Sequence, residues 1–507
     1  MFWRKGDPPV QLTNFVARIA EEVVVDDGLK RCREFRIEVQ LPQSRQEIML
    51  PAGEFAQMNW PCERIGASAI VMAGSGMKDH ARAAIQSISG APVTTVYYAH
   101  TGWREIQGTH YFLTASGGIG PKGLDHRHAV RLPEDLASVS LPEVPAGADL
   151  KAAIRAVLDL PRVAAPSVMW PLLAGGFRAP IDDVDFAIHL TGPTGQGKSA
   201  LAALVQQHFG PDLDARHLPA SWSSTENALE ALAFSAKDIV LVIDDFVPTG
   251  GPNDVGHLHV KADRIIRAQG NRSGRARLTA AGSLVAARPP RGLILSTGED
   301  MPRGQSIGAR MLTLEVEPGC VDFAALSGAQ EAAISGLYAQ AMSGWVHWIA
   351  GRLPGIREQF ADLVRAGRAD GSAERHRRAS TIEAELIATV RLFLDFAVEA
   401  DAIGLLESSE FEAQAIVAIM RSVNRQASQH VQSEPAARFV ELLRSALGSG
   451  QAHVASMDDG VPDHPSIWGW RESQSGLGDS GSHSWKEFGA RVGWTDGQSL
   501  FLDPESV

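Results

Sequence analysis

The chain of 507 residues has few cysteines, no long apolar run and no surplus of positive charge. Each lack excludes a class of protein. Its three cysteines, Cys32, Cys62 and Cys320, lie far apart in no zinc-ligand spacing, and an odd number gives no disulfide framework. That usage predicts a reducing, cytoplasmic setting. No stretch of about 18 apolar residues occurs, so no transmembrane helix is expected. The opening MFWRKGDPPVQL turns polar and proline-bearing too early for a secretory leader. A formal net charge of -12 argues against non-specific coating of nucleic acid or membrane. Any nucleic-acid site must be a local basic patch on an acidic body. Internal repeats and long low-complexity tracts are also missing.

What is present divides into four regions. Residues 1–145 alternate short strand-like runs (Arg36–Leu41, Ala69–Met72, Val93–Tyr98) with turn residues, and read as an α+β region. The Pro- and Ala-bearing LPEDLASVSLPEVPAGADL reads as a linker. Residues 146–340 hold the main motif, and 341–447 read as helical. There Ser380-x-x-Glu383 looks like a capping box ahead of an amphipathic run. Residues 448–507 carry four tryptophans and a hairpin signal, VGWTDGQSLFL, with Asp496-Gly497 in the turn, and predict a small separate α/β module.

The main motif is HLTGPTGQGKSALAALV, His189 to Val205. A strand-like VDFAIHL precedes it, and a helical SALAALVQQHF follows, stopped by Gly210-Pro211. Strand, glycine loop and helix are what phosphate binding needs. Gly192, Gly195 and Gly197 let the backbone N–H groups of Gly192, Thr194, Gly195, Gln196, Gly197 and Lys198 converge on phosphate oxygens, Pro193 completing the loop without a donor. The helix N-terminus adds partial positive charge. Lys198 reaches the β- and γ-phosphates, and Ser199 can ligate magnesium. The cofactors implied are ATP and Mg2+, and the core is expected to be a P-loop NTPase with a parallel sheet.

A second half is expected and found in DIVLVIDDF, Asp238–Phe246, a buried parallel strand with two carboxylates at its C-terminal end. Asp244 would hold the metal, and Asp245 would orient or deprotonate the attacking water. A third strand, Gly292–Leu295, ends in Ser296-Thr297-Gly298-Glu299. Thr297 is preferred to Ser296 as a contact to the γ-phosphate or water, the alternative being that these hydroxyls only cap a turn. Arg310, just before another apolar strand, has the planar fixed charge suited to a transferring phosphoryl group. If it cannot reach its own nucleotide it would serve a neighbour's, which implies a ring. The alternative is a surface ion pair. Of Arg375, Arg377 and Arg378, ahead of a helix, Arg378 is selected as a contact to nucleotide.

Between the second and third strands, Lys261 to Arg291 hold eight basic residues and one acidic one, Asp263. Within them GNRSGRAR, Gly270–Arg277, reads as a hairpin tip carrying Arg272, Arg275 and Arg277. Such a tip in a ring pore would grip a phosphodiester backbone by charge. Alternatively these arginines pair with an adjacent acidic surface. The GIGPKG run at Gly118–Gly123 reads as a plain loop, because Pro121 and the lack of a following helix spoil a dinucleotide fingerprint. The pairs His126/His128 and His257/His259 lack further metal ligands nearby, and the tail aromatics read as packing within a small domain.

The order of phosphate loop, SWSSTENALEALA, DIVLVIDDF, basic hairpin, RGLILSTGED and GARM, preceded by AHTGWREIQGTHYFLTASGGIG, resembles the ATPases of phages and integrative elements. That family is similar to the helicases of staphylococcal cassette chromosomes, with an AAA+ core related to the MCM replicative helicases. The resemblance implies a hexameric ring that translocates on or unwinds DNA, single-stranded within the pore, during mobile-element replication, with a replication-associated protein as a further partner. It implies the arginine-finger role for Arg310 and the pore-loop role for the basic hairpin. Two departures stand out: Asp245 replaces the usual Glu, and Ser296-Thr297 replaces the usual sensor Asn. A nucleotide switch in phage defence or regulation, a P-loop kinase and an initiator-like loader are the rival readings.

Overall fold

In the computed structural model, residues 1–3, 9–274, 277–278, 284–369, 377–433, 435–475 and 482–503 are described. The chain divides into a unit Met1–Asn424 and a unit Arg425–Val507, with the boundary inside the helix Leu405–Ser433.

The first unit opens on a mixed sheet. Strands β1 (Val16–Asp26), β2 (Arg31–Gln40) and β3 (Arg45–Pro51) form an antiparallel meander, and helix α1 (Met77–Ser89) leads to β4 (Val93–Tyr98), which pairs parallel to β1. One side packs Phe15, Ile37, Val39, Leu50, Phe55 and Trp60 into a core of its own. The other carries a lattice of ion pairs, Arg18–Glu38–Arg45 and Glu21–Arg36–Glu47, so its charges cancel locally. The expected strand at Ala69–Met72 reduces to one bridge, Thr13 to Val71. Next comes an antiparallel sheet of β5 (Gly102–Ile106), β6 (Thr109–Thr114), β7 (Gly117–Gly120) and β8 (Gly123–Asp125). The GIGPKG run, expected as a plain loop, is mostly strand: Gly118–Gly120 end β7, Gly123 opens β8, and only Pro121-Lys122 form the turn between them.

The centre is a five-stranded sheet, parallel throughout: β9 (Ala187–Thr191), β10 (Ala220–Ser221), β11 (Val240–Phe246), β12 (Leu293–Gly298) and β13 (Met311–Glu315), in spatial order β10-β11-β12-β9-β13. Its strands read as near-continuous apolar runs because helices cover both faces. The third strand, β12, therefore lies between the loop strand β9 and the acidic strand β11. Helices α2 (Pro166–Arg178), α3 (Lys198–Gln206), α4 (Glu226–Ser235) and α5 (Pro252–Asn271) surround it. Gly175 of α2 lets that helix settle on the sheet, since a Cβ there would stand 2.6 Å from the Ile188 side chain. Thr225 caps α4 by accepting from the Ala228 N–H. A helical run then follows, including α6 (Leu337–Ala350), α7 (Leu353–Ala369) and α8 (Arg377–Glu399). Ser380 lies inside α8 and is not its cap, because the helix already includes Arg377; three residues of further helix outweigh one capping pair.

The second unit holds the helix Pro435–Ser449, a three-stranded sheet and a separate two-stranded ribbon. The hairpin expected around Asp496-Gly497 is present: Ala490–Thr495 pairs antiparallel with Leu500–Leu502, and Gly497 takes φ +89° in the turn. Among the described residues no helix is long and apolar enough to cross a membrane.

Candidate active site

Strand β9 ends at Thr191, and residues 192–197 turn into α3. Gly192, Gly195 and Gly197 take φ +148°, +80° and +84°, values that L side chains rarely adopt. At Gly192 a Cβ would stand 2.3 Å from the Val316 carbonyl oxygen, so the loop lies tight against the chain leaving β13. Pro193, Thr194 and Gly195 form the exposed crest. Lys198 reaches back over this turn, its Nζ donating to the carbonyls of Gly192 (2.7 Å) and Pro193 (2.8 Å). Partial burial lowers its pKa, opposed by the carboxylates of Glu299, Asp244 and Asp245.

Behind the loop, two strand tips and the start of α3 meet on one carboxylate. Ser199 Oγ donates to Asp244 Oδ1 at 2.8 Å, and the Thr297 hydroxyl donates to the same oxygen. Asp245 follows at φ +69° where the β11–β12 register shifts, and its N–H donates to Thr297 Oγ1 at 3.2 Å. A non-glycine residue in left-handed backbone at a bulge is held there by its surroundings. It exposes Asp245 beside the half-buried Asp244.

Strand alternation separates the two candidate hydroxyls. Thr297 faces Asp244. Ser296 faces the other way, accepting from Trp222 Nε1 at 2.8 Å and standing 3.0 Å from His189 Nδ1. His189 Nε2 is 3.0 Å from the Asp300 carbonyl, which can only accept, so Nε2 carries the proton and Nδ1 accepts from Ser296. Burial lowers the His189 pKa to about 4 and keeps the ring neutral. This chain underpins the loop strand, and sequence reading missed it: nothing in the spacing of His189, Trp222 and Ser296 marks their meeting. Glu299 was missed as well. Its carboxylate accepts from the Thr194 hydroxyl at the crest, and its backbone accepts from Thr191 Oγ1 (3.4 Å) and donates to the Phe246 carbonyl (3.2 Å).

The remaining residues lie elsewhere. Arg310 precedes β13, whose first residue, Met311, pairs with Ala187 at the start of β9. The glycine loop follows the other end of β9, about 13 Å away along the strand. Arg310 donates to Asn271 Oδ1 from Nε (3.2 Å) and Nη2 (2.9 Å). Partial burial lowers its pKa, and Arg378 and Arg267 press it the same way. Arg378 thus sits by Arg310 and not by the glycine loop of its own chain. The physical reason is that α8 passes the N-terminal ends of the strands, where Glu385 of the same helix pairs with Arg178.

The basic stretch is also differently built. Helix α5 runs to Asn271, so Gly270–Arg272 form a helix end and not a hairpin tip. A two-residue antiparallel ladder pairs Arg277–Leu278 with Leu284–Val285. Arg275 and Arg375 lie outside the described residues, as does the Arg277 side chain. The other basic side chains from Lys261 to Arg291 pair within the chain. Lys261 donates to the Trp222 and Ser224 carbonyls, Arg264 meets Glu226, Arg267 meets Asp263, Arg272 meets Asp183 and Arg288 meets Asp27. Arg291 stacks on Phe234 at 3.6 Å and donates to the Asp27 carbonyl at 3.0 Å.

Residues 156–280, which hold the glycine loop, the acidic strand and α5, match the family described as Domain of unknown function (DUF927). Among solved structures the chain is similar to one titled "SCCmec type IV Cch - active helicase", with TM-score 0.54 and 12% identity over 90% of this chain and 83% of that one. The chain has the fold of that helicase. The resemblance read from the motifs is borne out in these two findings. The X-ray structure of JCV helicase also aligns, at 15% identity over 53% of this chain and 65% of that one, but its TM-score of 0.23 carries no argument. No curated protein matches the sequence.

Proposed function

We propose that the chain is an ATP-hydrolysing motor of the AAA+ class that moves along or opens DNA as a ring, within a mobile element. One observation carries the reading: Ser199 at the start of α3 and Thr297 at the tip of β12 both donate to Asp244 at the tip of β11, directly behind a glycine loop crossed by Lys198.

The residues fit a magnesium nucleotide. Mg2+ favours oxygen donors, few of them from protein, with phosphates completing its shell. Ser199 Oγ and Asp244 Oδ1 are such a pair, and no group of three or more His, Cys, Asp or Glu suited to holding a metal occurs among the described residues. When bound, the ion would neutralise charge on the phosphates. Lys198 would exchange two carbonyl partners for phosphate oxygens, a stronger charge-assisted bond. Thr297 fixes the Asp244 carboxylate, and Asp245 is exposed where a water would be aligned for in-line attack. Arg310, at the far end of the sheet, would complete a neighbour's site. Hydrolysis would then move the segment between Arg272 and Arg291 against DNA.

The internal pairing of Arg272 and Arg288 favours one alternative, a nucleotide switch whose basic segment contacts only protein. Hydrolysis with and without single-stranded DNA, in wild type, Lys198→Ala and Arg275→Ala, separates the two. The motor reading expects no turnover in Lys198→Ala, and basal turnover with weakened DNA stimulation in Arg275→Ala. A wild type indifferent to DNA would leave the switch.

A further inference from the structure

We propose that Glu299 is a positioning residue that latches the crest of the phosphate loop and must leave when a triphosphate enters. The inference rests on the nucleotide-binding reading of the loop.

Glu299 is the first residue beyond β12, the strand wedged between the loop strand and the acidic strand. Its backbone is tied to both neighbours, to Phe246 through its N–H and to Thr191 through its carbonyl. The side chain is therefore delivered to one place from a fixed root. It ends on the Thr194 hydroxyl, at the crest of the loop. Of the carboxylates acting on Lys198, Glu299 is the foremost, ahead of Asp244 and Asp245.

A glycine loop at a helix N-terminus, with a lysine across it, attracts an anion. Glu299 supplies one from within the chain. Triphosphate brings several negative charges to the same crest, and a carboxylate left there would repel them. Nucleotide entry therefore breaks the Thr194–Glu299 bond and swings the carboxylate away. Because the root of Glu299 also bonds to Phe246, next to Asp245, the crest and the water-aligning strand are joined through one residue. Wild-type affinity is thus the affinity of an open loop reduced by the fraction of molecules in which the latch is open.

Titration with a fluorescent ADP analogue and magnesium tests this, alongside kcat and KM for ATP. Glu299→Gln should bind ADP several-fold to tenfold more tightly, with kcat falling no further than slower ADP release requires. Thr194→Val should also tighten binding, Thr194→Ser should tighten it less than Thr194→Val because its hydroxyl can keep the bond to Glu299, and Thr194→Val with Glu299→Gln should add little beyond either single change, as expected for one shared contact. Unchanged ADP affinity in Glu299→Gln overturns the latch. So does a hundredfold loss of kcat at unchanged affinity, which would make Glu299 a catalytic carboxylate. Full additivity of the two changes also overturns it. A wild type that binds no nucleotide is a distinct result: it removes the nucleotide-binding reading itself, and the latch with it.

Discussion

The two ends of the central sheet are built from opposite materials. At the C-terminal tips, hydroxyls and carboxylates from β11, the end of β12 and the start of α3 converge with the glycine loop: Ser199, Thr297, Asp244, Asp245 and Glu299. At the N-terminal ends, cationic side chains gather: Arg310 near Arg378 and Arg267, Arg272 on Asp183, and Arg291 and Lys237 beneath the first region. One end is assembled from a single chain. The other sets Arg310 beside the start of β9, roughly 13 Å along the strand from the glycine loop. If Arg310 acts on a phosphate at all, that phosphate belongs to another copy.

Breaking the first end should have the largest effect. Lys198→Ala should reduce ATP hydrolysis to background while leaving the circular-dichroism spectrum unchanged, because the loop glycines and α3 hold their shape without the ammonium. Breaking the second end should cost slightly less. Arg310→Ala is expected to lower kcat by about 10³-fold or more. The comparison makes a sharper claim about mixtures. Lys198→Ala and Arg310→Ala, each inactive alone, should recover part of the activity when mixed, since some interfaces then pair an intact loop with an intact arginine. No recovery at any ratio would mean that the two ends do not meet across copies.

This contrast was legible in the sequence on one side only. The loop, the acidic strand and the helix stop at Gly210 are encoded in contiguous residues whose spacing carries the geometry, so GPTGQGKS and DIVLVIDDF could be read directly. Thr297 over Ser296 follows from strand alternation alone. The far end resisted because its contacts are non-local. Nothing near Arg310 in sequence announces Asn271 or Arg378, and nothing near Arg272 announces Asp183. Gly270–Arg277 resembled a turn by composition, yet the amphipathic helix before it continues through Gly270, where the missing Cβ admits the Arg310 side chain. Helix continuation outweighed local turn propensity.

The first region meets the sheet at this same far end. Asp238, buried at the root of β11, accepts from the Trp103 N–H at 2.8 Å and pairs with Lys237, while Trp103 Nε1 donates to the Pro180 carbonyl. Gly102, at φ +80°, permits the approach, since a Cβ would lie 2.4 Å from the Lys237 carbonyl oxygen. Asp238→Ala leaves the buried Trp103 N–H without its acceptor and the Lys237 ammonium with the Trp103 carbonyl alone, and should destabilise the chain by about 2–3 kcal/mol in denaturant unfolding. Gly102→Ala should be comparably damaging. Both should leave ADP binding at the remote loop intact in the folded fraction. A loss of binding that exceeds the loss of folded protein would show that the two ends are coupled.

The smallest effect distinguishes the ends by protons. His100 lies at the junction below the sheet, His189 beneath the loop strand and His208 at the end of the loop helix, and burial lowers each pKa to about 4. An unfolded histidine titrates near 6.5. All three are therefore neutral in the folded chain, and between pH 6.5 and 4 the unfolded chain binds more protons than the folded one. Their stabilisation is complete above pH 6.5 and is lost as pH falls toward 4. The thermal midpoint should drop between pH 7 and pH 5, with a slope reduced by roughly one proton when His189 is replaced by Gln. That change also removes the acceptor for Ser296, so it should weaken nucleotide binding, whereas His100→Gln should reduce the slope alike and leave binding unchanged. Equal effects of the two on binding would erase the division between the ends, because His189 bonds to Ser296 beneath the loop strand whereas His100 bonds to the Thr101 carbonyl at the junction.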